Sequence, residues 1–121
     1  MDDSIVIGLI RMEQQLRILH WQTKSFARHT AYGKIYNGLG ELIDTFMEAS
    51  MGEYGRFQLS DGAIQLRNLD ELNVGETMDE YIGFLLSFNE KLDPARDSDL
   101  LNLRDELLTD VKQLKYLLTL K

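Results

Sequence analysis

Residues 20–48 read HWQTKSFARHTAYGKIYNGLGELIDTFME. Asp44 and Glu48 stand four apart, so on a helix both carboxylates project from one face, one turn from each other. His20 and His29 stand nine apart, and Thr23 and Ser25 between them are good helix N-cap residues. This predicts a break, with His20 closing one helix and His29 opening the next. Imidazole nitrogens with hard carboxylate oxygens form a donor set suited to iron, manganese or zinc. His20, His29, Asp44 and Glu48 are therefore the candidate metal ligands, and all four need helices to place them.

Working outward, Ile5, Leu9, Met12, Leu16 and Leu19 step by four and three, the buried stripe of a first helix that Asp2, Asp3 or Ser4 caps. Glu13, two turns before His20 on the same face, is a candidate hydrogen-bond partner or spare ligand. Trp21 is expected to be a packing residue. The second helix should start near Ser25 with the stripe Tyr32, Tyr36, Leu39, Ile43 and Phe46. Gly33, Gly38 and Gly40 each cost about 1 kcal/mol against Ala in a helix interior, which predicts close approach of another backbone, such as a subunit partner's. Glu41, Asp44 and Glu48 form a separate acidic stripe. The period is lost from Gly52 to Thr77 apart from a short helical stretch at Leu66 to Leu72. A connection of that length crosses the molecule. Thr77-Met78-Asp79-Glu80 has the form of a capping box opening a third helix through Ile82, Leu85 and Leu92, which Pro94 stops. Leu100, Leu103, Leu107, Val111, Leu114 and Leu118 mark the fourth. The expected fold is all-α, one domain over residues 1–121, a four-helix bundle whose long middle connection lets helices two and three run parallel.

The string His20-Trp21, a polar turn, Phe26, His29 and Asp44-x-x-x-Glu48 resembles the ferroxidase motif of the Dps-type mini-ferritins, and the helix and loop lengths agree with a ferritin-like bundle. The resemblance implies ferrous iron bound by His20 and His29 of one chain with Asp44 and Glu48 of another, in an assembly of at least two copies. The turn between the histidines is about three residues shorter than in that family, and the position of its additional acidic ligand falls on Gly33. The run also resembles a group of short bacteriophage proteins.

Charge and composition narrow the partners. The chain has 121 residues and no cysteine, so disulfides and thiolate metal sites are excluded. No apolar run approaches the roughly 20 residues that span a bilayer, and the start Met1-Asp2-Asp3 lacks the features of a signal peptide, so a cytoplasmic protein with no membrane contact is expected, in the host cytoplasm if phage-encoded. The net charge of −7 disfavours nucleic acid, whose affinity depends on Lys and Arg. The basic residues Lys24, Arg28 and Lys34 cluster near the turn, and the C-terminal end offers Lys112, Lys115 and Lys121.

Three functions fit these features. The first is an iron protein oxidising ferrous iron with dioxygen or peroxide at an inter-subunit site. The second is a phage protein that keeps the bundle without that chemistry and binds a host protein or sequesters a small ligand. The third is a magnesium-dependent all-α nucleotide pyrophosphohydrolase using Glu41 and Asp44 with Asp105 and Glu106.

Overall fold

The computed structural model describes residues 1–60 and 62–120, so Lys121 of the C-terminal basic residues lies outside them. Four long helices carry the chain: α1 (Asp3–Gln22), α2 (Phe26–Tyr54), α3 (Val74–Leu86) and, after the single turn α4 (Phe88–Lys91), α5 (Ser98–Leu117). No strand occurs among the described residues.

Local chemistry sets most of the boundaries. The Asp2 side chain accepts from Ser4 N at 2.8 Å, and Ser25 Oγ accepts from Arg28 N at 3.2 Å, each satisfying one of the donors that a helix start leaves unpaired. Gly55, at φ 80°, ends α2 in a conformation that side chains disfavour. α3 opens three residues before the expected capping box, because Asn73 takes the cap by accepting from Glu76 N. It also stops sooner than the apolar stripe suggests. Ser87 turns its hydroxyl onto Phe84 O and breaks the helix before Leu92. The short helical stretch expected at Leu66 to Leu72 is one 3-10 turn, Leu69–Glu71.

Contacts between helices fix the topology. The end of α2 meets the start of α5 where Tyr54 donates to both carboxylate oxygens of Asp97, and Arg28 at the other end donates to Leu118 O. Arg104 of α5 donates to Leu85 O near the end of α3, and Lys115 pairs with Asp79 near its start. The start of α1 packs on the end of α3, the Gly8 backbone lying against the Phe84 ring. Every neighbouring pair is antiparallel, the order round the core is α1, α2, α5, α3, and α2 and α3 run parallel across the diagonal, as expected from the long connection. That connection is tied to α1: Gln15 both donates to Arg67 O and accepts from Arg67 N, as a strand would, while Gln22 accepts from Leu69 N.

The expected stripes form one core, which Phe88 joins: Ile5, Leu9, Met12, Leu16, Leu19, Tyr32, Leu39, Phe46, Met78, Leu85, Leu100, Leu107, Val111 and Leu114 are all buried. Trp21 is the exception to the expected packing. It lies one position past His20, turned off the buried face, and is 64% exposed.

A Cβ at Gly8 would lie 2.3 Å from the Phe84 ring. Gly8→Ala is expected to destabilise the fold by about 1–3 kcal/mol through overpacking, and Phe84→Leu in the same chain to recover part of that loss. Denaturant unfolding of the two variants checks it.

Candidate functional site

The turn from α1 to α2 occupies only Thr23, Lys24 and Ser25, so the last turn of one helix lies against the first turn of the next. His20 and His29 stack across it, with ring centroids 3.8 Å apart and planes 19° from parallel. Each imidazole bonds the other residue's main chain: His20 Nδ1 to His29 O at 2.6 Å, and His29 Nδ1 to His20 O at 2.8 Å. A carbonyl oxygen only accepts, so both Nδ1 atoms carry the hydrogen. In the neutral rings both lone pairs are therefore on Nε2. The His29 bond also satisfies one of the carbonyls that the end of α1 leaves unpaired.

Gly33 explains the place of the His20 ring. A Cβ at position 33 would lie 2.8 Å from His20 Cε1 and 3.1 Å from Nδ1. The ring occupies the volume that an acidic side chain there would need. Gly40, two turns on, faces Glu13 of α1 at 3.4 Å. Gly33 and Gly40 thus admit side chains of their own chain rather than the backbone of a subunit partner, which corrects the expectation drawn from their spacing. Gly38 points toward Asp110 of α5, with nothing nearer than 4.0 Å.

A polar seam continues along α1. Tyr36 meets the His20 ring edge-on at 5.3 Å, Arg17 lies 5.0 Å over the Tyr36 ring, and Glu13 sits 4.0 Å from Arg17. Glu13 therefore partners Arg17 and not His20. Burial pushes the Glu13 carboxyl above its ordinary range, Arg17 opposes this, and Asp44 adds to it.

Asp44 and Glu48 project from α2 into solvent, and neither side chain makes an ion pair or hydrogen bond among the described residues. At 1.5 Å per residue, Asp44 is about 22 Å along the helix from His29. One chain therefore brings His20 and His29 together and keeps both carboxylates away from them. Among the described residues no three His, Asp or Glu side chains gather closely enough to hold a metal, the Glu41, Asp44, Asp105 and Glu106 set included. Sequence reasoning passed over Arg17 and read Tyr36 only as a stripe residue of the second helix. Their signal was present in the four- and three-residue spacings that place Glu13, Arg17 and His20 on one line.

The match to a protein family starts at this turn. The model of a family of unknown function (DUF5856) matches residues 20–118. The chain belongs to that family. The DUF5856 run opens on His20 and closes on Leu118, whose carbonyl accepts from Arg28. A bacteriophage T4 protein, described as an uncharacterized 14.6 kDa protein in the mobD-ri intergenic region, is 43% identical over 51 residues, which cover 41% of this chain and 40% of that protein. The match thus spans well under two thirds of that phage protein's length. No solved structure matches. No helix among the described residues is long and apolar enough to cross a membrane.

Two outcomes are expected. Gly33→Asp restores a carboxylate by sequence but displaces the His20 ring, so the two Nδ1–H signals should be lost from imidazole ¹⁵N NMR spectra and the melting temperature should fall. For Glu13, a carboxyl raised in the folded state lends stability that is complete at low pH and lost as the pH rises through the raised value. Glu13→Gln should accordingly leave stability near pH 3 unchanged and raise it near pH 7, both read from thermal melts. A lower melting temperature for the variant near pH 7 would mean that the attraction of Arg17 outweighs burial.

Proposed function

We propose that this DUF5856 protein is a ferritin-like bundle that binds ferrous iron, or another divalent metal such as manganese or zinc, between two copies: His20 and His29 from one, Asp44 and Glu48 from the other. One observation carries the reading. Both imidazoles spend Nδ1 on main-chain carbonyls and keep Nε2 free, the arrangement that second-sphere carbonyls impose on metal-binding histidines. The donors fit the cation: two neutral nitrogens and two unpaired carboxylates match iron, manganese or zinc in softness and charge. Position 33 adds no oxygen, so the set is one carboxylate smaller than the mini-ferritin resemblance implies. In this reading ferrous iron is the substrate, oxidised by dioxygen or peroxide, and the phage relative supports a setting in the host cytoplasm. The chain's own part is to hold two nitrogen donors at fixed tautomer and to present two carboxylates to a neighbour.

A second reading keeps the bundle and drops the metal: a protein that binds a host protein or a small ligand. Trp21 and Phe26, 64% and 84% exposed, flank the turn, and a cleft of about 520 Å³ lined by Gln22, Lys24, Asn68, Leu69 and Asp70 opens beside it. Exposed aromatic side chains beside a cleft suit recognition.

Anaerobic titration with ferrous iron tests the two. On the first reading, metal at about a hundredfold over its Kd raises stability by about 2.7 kcal/mol. His29→Ala and Asp44→Asn abolish both that shift and iron-dependent peroxide consumption, while Asp105→Asn, outside the ligand set, keeps them. A wild-type protein with no thermal shift for iron, manganese or zinc overturns the metal reading and leaves the second.

A further inference from the structure

The charges of α2 are segregated along its length. From Phe26 to Gly40 the helix has Arg28, His29 and Lys34 and no acidic residue; from Glu41 to Tyr54 it has Glu41, Asp44, Glu48 and Glu53 and no basic one. This order opposes the helix macrodipole, which favours acids at the start and bases at the end. The first turn holds no acid and the last turn no base. Asp44 and Glu48, like charges one turn apart, cost a little more. A face meant only for water would intersperse the two signs. Within one chain the arrangement is therefore unfavourable, and the bundle compensates for only part of it: Glu53 pairs with Arg96, Arg28 donates to Leu118 O and Lys34 acts at longer range on the Asp110 carboxyl, whereas Lys34, Glu41, Asp44 and Glu48 are exposed and make no side-chain ion pair among the described residues.

Those four residues lie with Thr30 and Asn37 in one exposed line at helical spacing, on the side of α2 away from Tyr32, Leu39, Ile43 and Phe46 in the core. A helix with one basic and one acidic half is complementary to itself when reversed. We infer that the occupant of this face is α2 of a second copy, antiparallel, with the two-fold axis passing beside Asn37 and Lys34 paired to the partner's Glu41. Lys34 and the positive dipole end of each helix then lie against the acidic half of the other, and each contact is made twice.

The inference deepens the metal reading by naming how the second copy is seated, and it rests on that reading only for the ligands. In this register His29 stands level with the middle of the partner's Asp44-to-Glu48 turn. A two-fold perpendicular to both helix axes keeps the α1 helices of the two copies on the same side. Asp44 leans toward that side, being close enough to Glu13 of α1 to influence its carboxyl. The partner's carboxylates thus arrive on the flank where His20 and His29 stand, and the acidic half that is repulsive in one chain gains its counter-charge.

The test is sedimentation equilibrium of the full chain, first with chelator and then with zinc as the metal probe. The wild type is expected to dimerise, with an affinity that falls as salt rises. Lys34→Glu should weaken dimerisation by roughly tenfold or more through like-charge contact, and Lys34→Glu/Glu41→Lys should restore it, because the pair is reversed and not removed. A protein monomeric at every concentration with and without zinc overturns the interface, as does a dimer indifferent to Lys34→Glu or zinc held by a monomer. A dimer that obeys the charge reversal and takes up no zinc upholds the interface and removes the metal reading.

Discussion

Two hydrogen bonds between His20 and His29 hold the hairpin on which the bundle is arranged. They close a three-residue turn from both sides, so the last turn of α1 and the first of α2 are held at stacking distance. Gly33 admits the ring, and Gly40 lets the same close approach persist two turns further on. With α1 and α2 so placed, the buried stripes face α3 and α5, and the connection finds Gln15 and Gln22 waiting on α1. The histidines thus have a structural task that uses Nδ1 and a chemical capacity that resides on Nε2. Because the tasks fall on different atoms, one motif can serve both.

Four helices, their apolar stripes and the long crossing were legible because burial follows periodicity: each stripe residue named for α1 and α5 is buried or packed against the core. Boundaries were less legible where two side chains compete for one task. Asn73 and Thr77 both could have capped α3, and Ser87 ended it through a hydroxyl that periodicity does not register. Gly33 and Gly40 were read correctly as marks of close approach and wrongly in what approaches, and Gly38 marks no close approach, since spacing does not separate a neighbouring helix from a neighbouring molecule. Trp21 was misjudged for a related reason: next to a buried line, one further residue rotates the side chain by about 100°, out of the core.

The candidate ligands were legible as types and as spacings, and their separation was too. Fifteen residues of continuous helix cannot bring Asp44 back to His29. What the sequence concealed was the state of each group. The free Nε2 atoms, the absence of partners at Asp44 and Glu48 among the described residues, and the seat at Gly33 follow only from packing. Charge segregation along α2 needed no coordinates, yet it became informative once Lys34 proved to share one exposed line with Glu41, Asp44 and Glu48.

Arg28 and Arg104 cap helices other than their own. Each sends its guanidinium to the final carbonyls of a neighbour, Leu118 O and Leu85 O, while the N-cap Asp97 of α5 turns inward to Tyr54 and the Asp93 backbone. A helix whose ends are satisfied by its own sequence can fray by itself. Here fraying of α3 or α5 strands a charged donor on the adjacent element, so the ends open together with the bundle. Amide protons at these termini should therefore exchange with solvent at rates close to those of the core.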